Sequence, residues 1–140
     1  MVFEYVQYEG NWLPLVPVSL RSGKYSLPPI GALVDTGATH TILPMEMAPE
    51  LGINISLAEQ IESQIAGGGE CFVYPSLVNI EYSLQDPNSQ NAYRWKGKVC
   101  FALGQKCILL GHRQCLEKFD VTFHGPERML EVTARFRKRS

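Results

Sequence analysis

The sequence of 140 residues has no long apolar run, and none of its stretches approaches the ~20 consecutive apolar residues of a membrane-spanning helix. Met1–Leu20 lacks the cationic start and apolar core of a secretory leader, so it does not read as a signal peptide, and a cytoplasmic protein without a membrane partner is the expectation. Charge of one sign is scarce: 13 Lys and Arg against 14 Asp and Glu leave a formal net charge of -1, which gives no global pull toward nucleic acid, and none is expected as a partner. Disorder is excluded by the balance of 19% charged and 45% apolar residues. No internal repeat or low-complexity segment is present. The length suits a single domain over 1–140, with its core at about 13–134 and a basic tail at 135–140.

Paired cysteines are missing too. Cys71, Cys100, Cys107 and Cys115 contain no C-x₂₋₄-C knuckle. Cys100, Cys107, His112 and Cys115 are zinc-compatible side chains at the wrong spacings, so free thiols are expected, with no metal and no cofactor. Neither a Ser/His/Asp arrangement nor a Cys/His nucleophile spacing is recognisable, and Cys115 near His112 reads as a helix-face pair.

What the chain does have is many short runs of Val, Ile, Leu and aromatics separated by turn signals. Leu13–Leu20 carries Pro14 and Pro17 and reads as an edge strand. Arg21–Pro29 reads as a loop, Ile30–Val34 as an interior strand, and Thr41–Leu43 as a short strand. Pro44–Leu51, closed by Gly52, suits one or two helical turns. Strands are expected at Ile55–Ala66 and Glu70–Leu84, meeting at the glycine tip Gly67, Gly68 and Gly69. Beyond the polar loop Gln85–Asn91, Ala92–Leu103 should be a strand leading into Cys107–Leu110. Then follow a short helix over His112–Phe119 and strands at Val121–His124 and Met129–Phe136. The class is mainly β, in a closed or sandwich-like arrangement.

Within "GALVDTGATHTILP" (Gly31–Pro44) an acid, Asp35, ends an apolar core strand. Burying a lone carboxylate is costly, so the acid belongs either to an ordinary Asx turn or to a site. Asp35-Thr36-Gly37-Ala38 followed by Thr41-Ile42-Leu43 resembles the active-site loop of aspartic proteases. Ile108-Leu109-Leu110-Gly111, followed by a short helix and a strand, resembles the second half of a retropepsin, and the glycine-tipped hairpin Ile65–Phe72 stands where that family has its flap. The chain is therefore similar to the retropepsin-like aspartic proteases, most closely their bacterial, non-viral branch, over roughly Leu13–Val132.

The resemblance implies a retropepsin-like acid-protease closed barrel, with one short helix after the Leu-Leu-Gly loop and the hairpin as flap. It implies an aspartic endopeptidase acting on extended polypeptide. Asp35 would be catalytic, and Thr36 and Gly37 would support its loop. Gly37, Ala38, Leu109 and the flap glycines Gly67, Gly68 and Gly69 would bind substrate, with Leu109 and Leu110 packing under the loop. Only one D-T-G is present, so the second carboxylate would be Asp35 of another copy, in a homodimer. Two carboxylates that close share a proton, which lets one act as base and the other as acid on an attacking water. The viral members carry an ion pair where this chain has Thr39 and His112, which a neutral Thr39–His112 contact could replace. His40 has no role in the family mechanism. Alternative readings are a non-catalytic peptide-binding or dimerisation module of the same fold and, more remotely, a thiol- or metal-dependent protein using the cysteine cluster.

Overall fold

A computed structural model of the protein describes residues 1–57, 61–64 and 70–136. The strands, in chain order, are β1 (Val2–Glu4), β2 (Val6–Tyr8), β3 (Asn11–Leu13), β4 (Leu15–Ser22), β5 (Tyr25–Val34), β6 (Ile42–Pro44), β7 (Ile61–Gln64) and β8 (Glu70–Pro75). They continue with β9 (Ile80–Gln85), β10 (Ala92–Gly97), β11 (Cys100–Ala102), β12 (Ile108–Leu110), β13 (Phe119–His124) and β14 (Met129–Ala134). The helix α1 (Met47–Glu50) follows β6 and is closed by Gly52 at φ +68°, the left-handed conformation anticipated for that glycine. A single 3-10 turn, Leu116–Lys118, forms the short helix after the Leu-Leu-Gly loop.

Among the described residues nine strands form one sheet in the order β10-β9-β4-β5-β12-β6-β11-β8-β7, curled as a half-barrel. Its apolar alternation follows the two-residue period of a strand: Val16, Val18 and Leu20 of β4 are buried, whereas Pro17 and Arg21 face water. A second sheet, β1-β14-β13, joins the two ends of the chain, and β2 and β3 make a separate hairpin. An aromatic chain couples the two sheets. Tyr82 stacks on Trp95 at 4.9 Å between ring centroids, Trp95 meets Phe119 edge-on at 5.0 Å, and Phe119 meets Phe136 at 5.3 Å. Each such pair contributes about 0.5–1.5 kcal/mol beyond its burial.

Several elements differ from the sequence expectation. The strand expected at Leu13–Leu20 is not an edge, because β4 lies between β5 and β9. Pro17 is tolerated there because pairing with β9 begins only at Val18↔Leu84, past the proline. Arg21–Pro29 is not a loop. Ser22 pairs with Tyr25 around Gly23 (φ +58°), and Pro28 and Pro29 fall in β5 where the register shifts between Val18 and Leu20, a bulge that spares the missing N–H groups. Ile55–Leu57 is a 3-10 turn rather than strand. The run Glu70–Leu84 is broken after Pro75, with Leu77 at φ +65°. The core also reaches earlier than Leu13, since Phe3 is only 4% exposed and pairs with Leu130. The start of the basic tail is tied to the sheet by its backbone, Arg135 donating its N–H to the Lys118 carbonyl at 2.8 Å while its side chain stays exposed, and Phe136 packs against Trp95. Gly67, Gly68 and Gly69, expected as a flap tip, lie outside the described residues, as does the rest of the tail.

Candidate active site

Asp35 leaves β5 at the point where the sheet opens. β5 and β6 are not neighbours. Between them lies β12, parallel to β5 (Leu110↔Val34) and paired with β6 through Leu109↔Ile42. The loop 35–41 therefore straddles the end of β12, and the Leu-Leu-Gly segment packs directly behind it. The Asp35 N–H donates to the Leu110 carbonyl at 3.1 Å, continuing the β5–β12 ladder by one residue. Ala38 N–H closes a turn onto the Asp35 carbonyl at 3.1 Å, and Gly37 N–H donates to Asp35 Oδ1 at 3.0 Å. The Asx turn and the placed acid are thus compatible: the turn holds one carboxylate oxygen while the side chain stays half-buried. A Cβ on Gly37 would stand 3.3 Å from that oxygen and crowd it.

Gly111 is the keystone beneath the loop. A Cβ there would overlap the His40 carbonyl and reach to 2.9 Å from the Ala38 carbonyl oxygen, so only glycine allows this approach. Its N–H donates to Thr41 Oγ1 at 3.1 Å in a buried environment, with Thr41 itself 1% exposed. The next residues bond back to the loop as well: His112 N–H to the Ala38 carbonyl at 3.0 Å and Arg113 N–H to the Thr39 carbonyl at 2.8 Å. The His112 side chain reaches Thr36, not Thr39, its Nε2 lying 2.6 Å from the Thr36 carbonyl oxygen. The contact supposed between Thr39 and His112 side chains is replaced by this side-chain-to-backbone bond.

Of the residues expected at the site, Asp35, Thr36, Gly37 and Ala38 share one loop, with Thr36 and Gly37 exposed. Leu110 is buried under it, and Leu109 is half-buried on the opposite face, beside Ile42, Val73, Cys100 and Ala102. His40 is half-buried, and its pKa is lowered by burial first and by the Arg113 charge second. Cys100 and Cys115 are buried and Cys107 is exposed. Among the described residues no group of three or more His, Cys, Asp or Glu could hold a metal ion. Burial pushes the Cys100 thiol up to about 11, and the Cys115 thiol up to about 12 despite a bond to Thr41 and the Lys118 charge. Cys115 is therefore a core residue rather than half of a helix-face pair.

One contributor escaped the sequence reading. Nothing in "THTIL" says that the Thr41 hydroxyl will meet a backbone N–H 70 residues away. The Cys107 thiol is raised by partial burial first and by the Asp35 charge second.

A hollow of about 210 Å³ lies behind the loop, lined among others by His40, Thr41, Cys100 and Arg113. An apolar groove of about 650 Å³ is lined by Met45, Pro49, Ile53, Tyr74 and Leu103. A third hollow of about 510 Å³, around Arg21, Glu81 and Arg94, involves no loop residue. None of the three is lined by Asp35, Thr36 or Gly37.

The sequence pattern of the aspartyl protease family matches residues 16–85. Among solved structures, a retropepsin-like aspartic protease from Rickettsia conorii aligns with a TM-score of 0.56 at 19% identity, over 94% of this chain and 98% of its own. An EIAV protease complexed with the inhibitor HBY-793 aligns with a TM-score of 0.42 at 19% identity, over 76% of this chain and 88% of its own. No curated protein matches the sequence. At these identities the Rickettsia match speaks for the fold.

Proposed function

The chain belongs to the aspartyl protease family and has the retropepsin-like fold, and from that premise we propose that it is an aspartic endopeptidase, a single domain over 1–140 whose site is completed by a second copy. The observation that carries this reading is the Asp35 loop itself. A half-exposed carboxylate is held by a local N–H at 3.0 Å and braced from beneath by Gly111, and among the described residues no ion pair involves it. One such carboxylate cannot be both base and acid to a water. Two copies facing each other can, since like charges at close range cannot both ionise.

In this reading the ionised Asp35 takes a proton from the attacking water. The protonated one hydrogen-bonds the scissile carbonyl and then supplies its proton to the leaving amine. The partners are an extended polypeptide and a second copy of the chain. In this reading the exposed Thr36 hydrogen-bonds the partner loop, and Gly37 and Ala38 offer backbone to substrate. Leu109, half-buried, contributes an apolar wall, and Gly67, Gly68 and Gly69 close over the bound strand. His112 holds the loop through the Thr36 carbonyl, the part that an ion pair plays in the viral proteases the sequence resembles.

The test is cleavage of a diverse peptide library by the purified protein between about pH 4 and 7, with the Asp35→Asn protein in parallel. Cleavage by the wild type, blocked by statine-type analogues and lost in the variant, is the expected result. Turnover by Asp35→Asn at the wild-type rate would overturn the reading. Peptide binding without cleavage by the wild type would favour a non-catalytic module.

A further inference from the structure

The hollow of about 210 Å³ behind the acid loop has a neutral floor and a cationic rim. Thr41, Val99 and Cys100 form the floor and are buried. The rim comes from three segments distant in sequence. His40 belongs to the acid loop, Lys98 to the link between β10 and β11, and Arg113 and Gln114 to the stretch after Gly111. Among the described residues, no Asp or Glu lines it.

One wall is fixed in advance. Gln114 stands at φ +57°, its Oε1 accepting the Lys98 N–H at 2.7 Å and its carbonyl the Trp95 indole N–H at 3.1 Å. Gly97 permits this approach, because a Cβ there would lie 2.8 Å from the Gln114 Cβ. With Oε1 engaged by backbone, the free groups of the Gln114 side chain are its two N–H donors. Across the hollow, the His112 and Arg113 N–H groups bond to the Ala38 and Thr39 carbonyls. Those bonds hold the segment bearing Arg113 against the loop bearing His40.

The charges of the rim are unanswered. Among the described residues, neither Lys98 nor Arg113 enters an ion pair. The Arg113 charge acts on His40, lowering its pKa second to burial. The other facing groups bring no relief. Burial pushes the Cys100 thiol up to about 11, so it is neutral. Glu117, the first acid along the chain after Arg113, is engaged by the Gln114 N–H at 2.7 Å and does not line the hollow; nor does Asp35.

We propose that this hollow is a binding site for a small tetrahedral oxyanion of the phosphate class. The Arg113 guanidinium supplies a planar fork of donors, Lys98 a compact charge, and Gln114 and protonated His40 further N–H groups. The volume of about 210 Å³ falls below the ~300–1,000 Å³ of sites for drug-sized ligands, and suits a free ion or a terminal phosphate group. Bound there, the anion ties the loop that holds Asp35 to two segments behind it. Because an anion favours the charged imidazole, binding is coupled to protonation of His40 and tightens as the pH falls. The site is separate from the Asp35 carboxylate, and its occupancy does not depend on whether the chain cuts peptides.

The test is proton NMR of the histidine rings during titration with sulfate, a dianion whose own charge stays constant while histidine titrates. Chloride at matched ionic strength is the reference. Sulfate should raise the His40 pKa saturably, to the extent set by about tenfold tighter binding to the protonated form. His124, beside Glu131 on β13, is the internal control and should respond alike to both salts. Arg113→Gln carries a signature that a loss of structure would not give: the resting pKa of His40 rises because a repelling charge is gone, while its response to sulfate shrinks. Lys98→Gln, at an exposed position, keeps the backbone bond to Gln114 and should weaken sulfate binding by about tenfold. The proposal is overturned if sulfate shifts His40 no more than His124, or if both variants, folded, bind sulfate as tightly as the wild type. Inorganic phosphate and phosphoserine then separate two sources of the same chemistry. Equal binding of the two marks a phosphate group on a larger molecule, and binding of inorganic phosphate alone marks the free ion. Peptide cleavage plays no part in the readout, so failure of this site and failure of the protease reading stay distinguishable.

Discussion

The Asp35 loop and the terminal sheet are built on opposite plans. The loop is over-determined: within residues 35–41 and 110–113, backbone bonds join Asp35 to Leu110, Ala38 to His112 and Thr39 to Arg113, and the Thr41 hydroxyl takes the Gly111 N–H. Among the described residues the terminal sheet ends in β13, with no strand paired to its other side, and Phe123 is 41% exposed. In the first region the N–H groups of Asp35, Gly37, Ala38, Gly111, His112 and Arg113 are all spent on fixing the loop. In the second, among the described residues, no strand answers the outer side of β13. Rigidity sits where geometry matters to within fractions of an ångström.

The contrast can be broken at several points. The largest effect is expected at the carboxylate: Asp35→Asn should lower peptide-cleavage kcat by about 10³- to 10⁴-fold while the melting temperature stays close to that of the wild type. Next comes the keystone, where Gly111→Ala drives a methyl group into the His40 carbonyl. A loss of about 4 kcal/mol in urea unfolding is expected, large because backbone rather than a flexible side chain blocks the site. Removing the hydroxyl in Thr41→Val strands the buried Gly111 N–H and should cost about 1–3 kcal/mol by the same measurement. By contrast Phe123→Lys, on the open edge, should change monomer stability by no more than about 0.5 kcal/mol.

Smaller effects sharpen the comparison through pH. Burial, with the Arg113 charge second, holds the pKa of His40 below 6.5 in the folded protein. Below about pH 6.5 the unfolded chain therefore takes up a proton that the folded chain refuses, and stability present above that pH is lost as the pH falls toward the lower folded value. A His40→Gln protein should show a shallower acid limb in a plot of melting temperature against pH. The smallest effect concerns Cys107, whose thiol is raised by partial burial and then by the Asp35 charge. Alkylation of this exposed cysteine near neutral pH should run modestly faster in Asp35→Asn than in the wild type, with Cys100 and Cys115 protected in both.

The sequence reading succeeded where chemistry is local. Asp35 followed by Thr36 and Gly37 needs only adjacent residues to make its turn, and Gly52 needs only its own φ to close α1. The Leu-Leu-Gly segment was legible through its resemblance to known proteases, but the reason for its glycine was not, because the obstruction is the backbone of His40 and Ala38, about 70 residues away in sequence. Proline misled in both directions. Pro17 suggested an edge and Pro28 and Pro29 a loop, although bulging and staggered strand ends place all three inside β4 and β5. The partner of His112 was misjudged because the ion pair of the viral proteases pointed to Thr39, whereas the ring meets the Thr36 carbonyl, beside the turn that Ala38 closes onto Asp35.

The same wiring supplies the molecule with its own optical gauge. Trp95, 6% exposed, donates its indole N–H to the Gln114 carbonyl at 3.1 Å, one residue beyond Arg113 and in the turn that leads to β13. The other indole, Trp12, is 43% exposed beneath the Arg128 guanidinium, 4.4 Å from the ring centroid. A Trp12→Phe protein would therefore fluoresce from a single shielded chromophore seated between the acid loop and the open strand. Its emission colour and quenching by iodide would follow any rearrangement of that turn in real time, without an added dye.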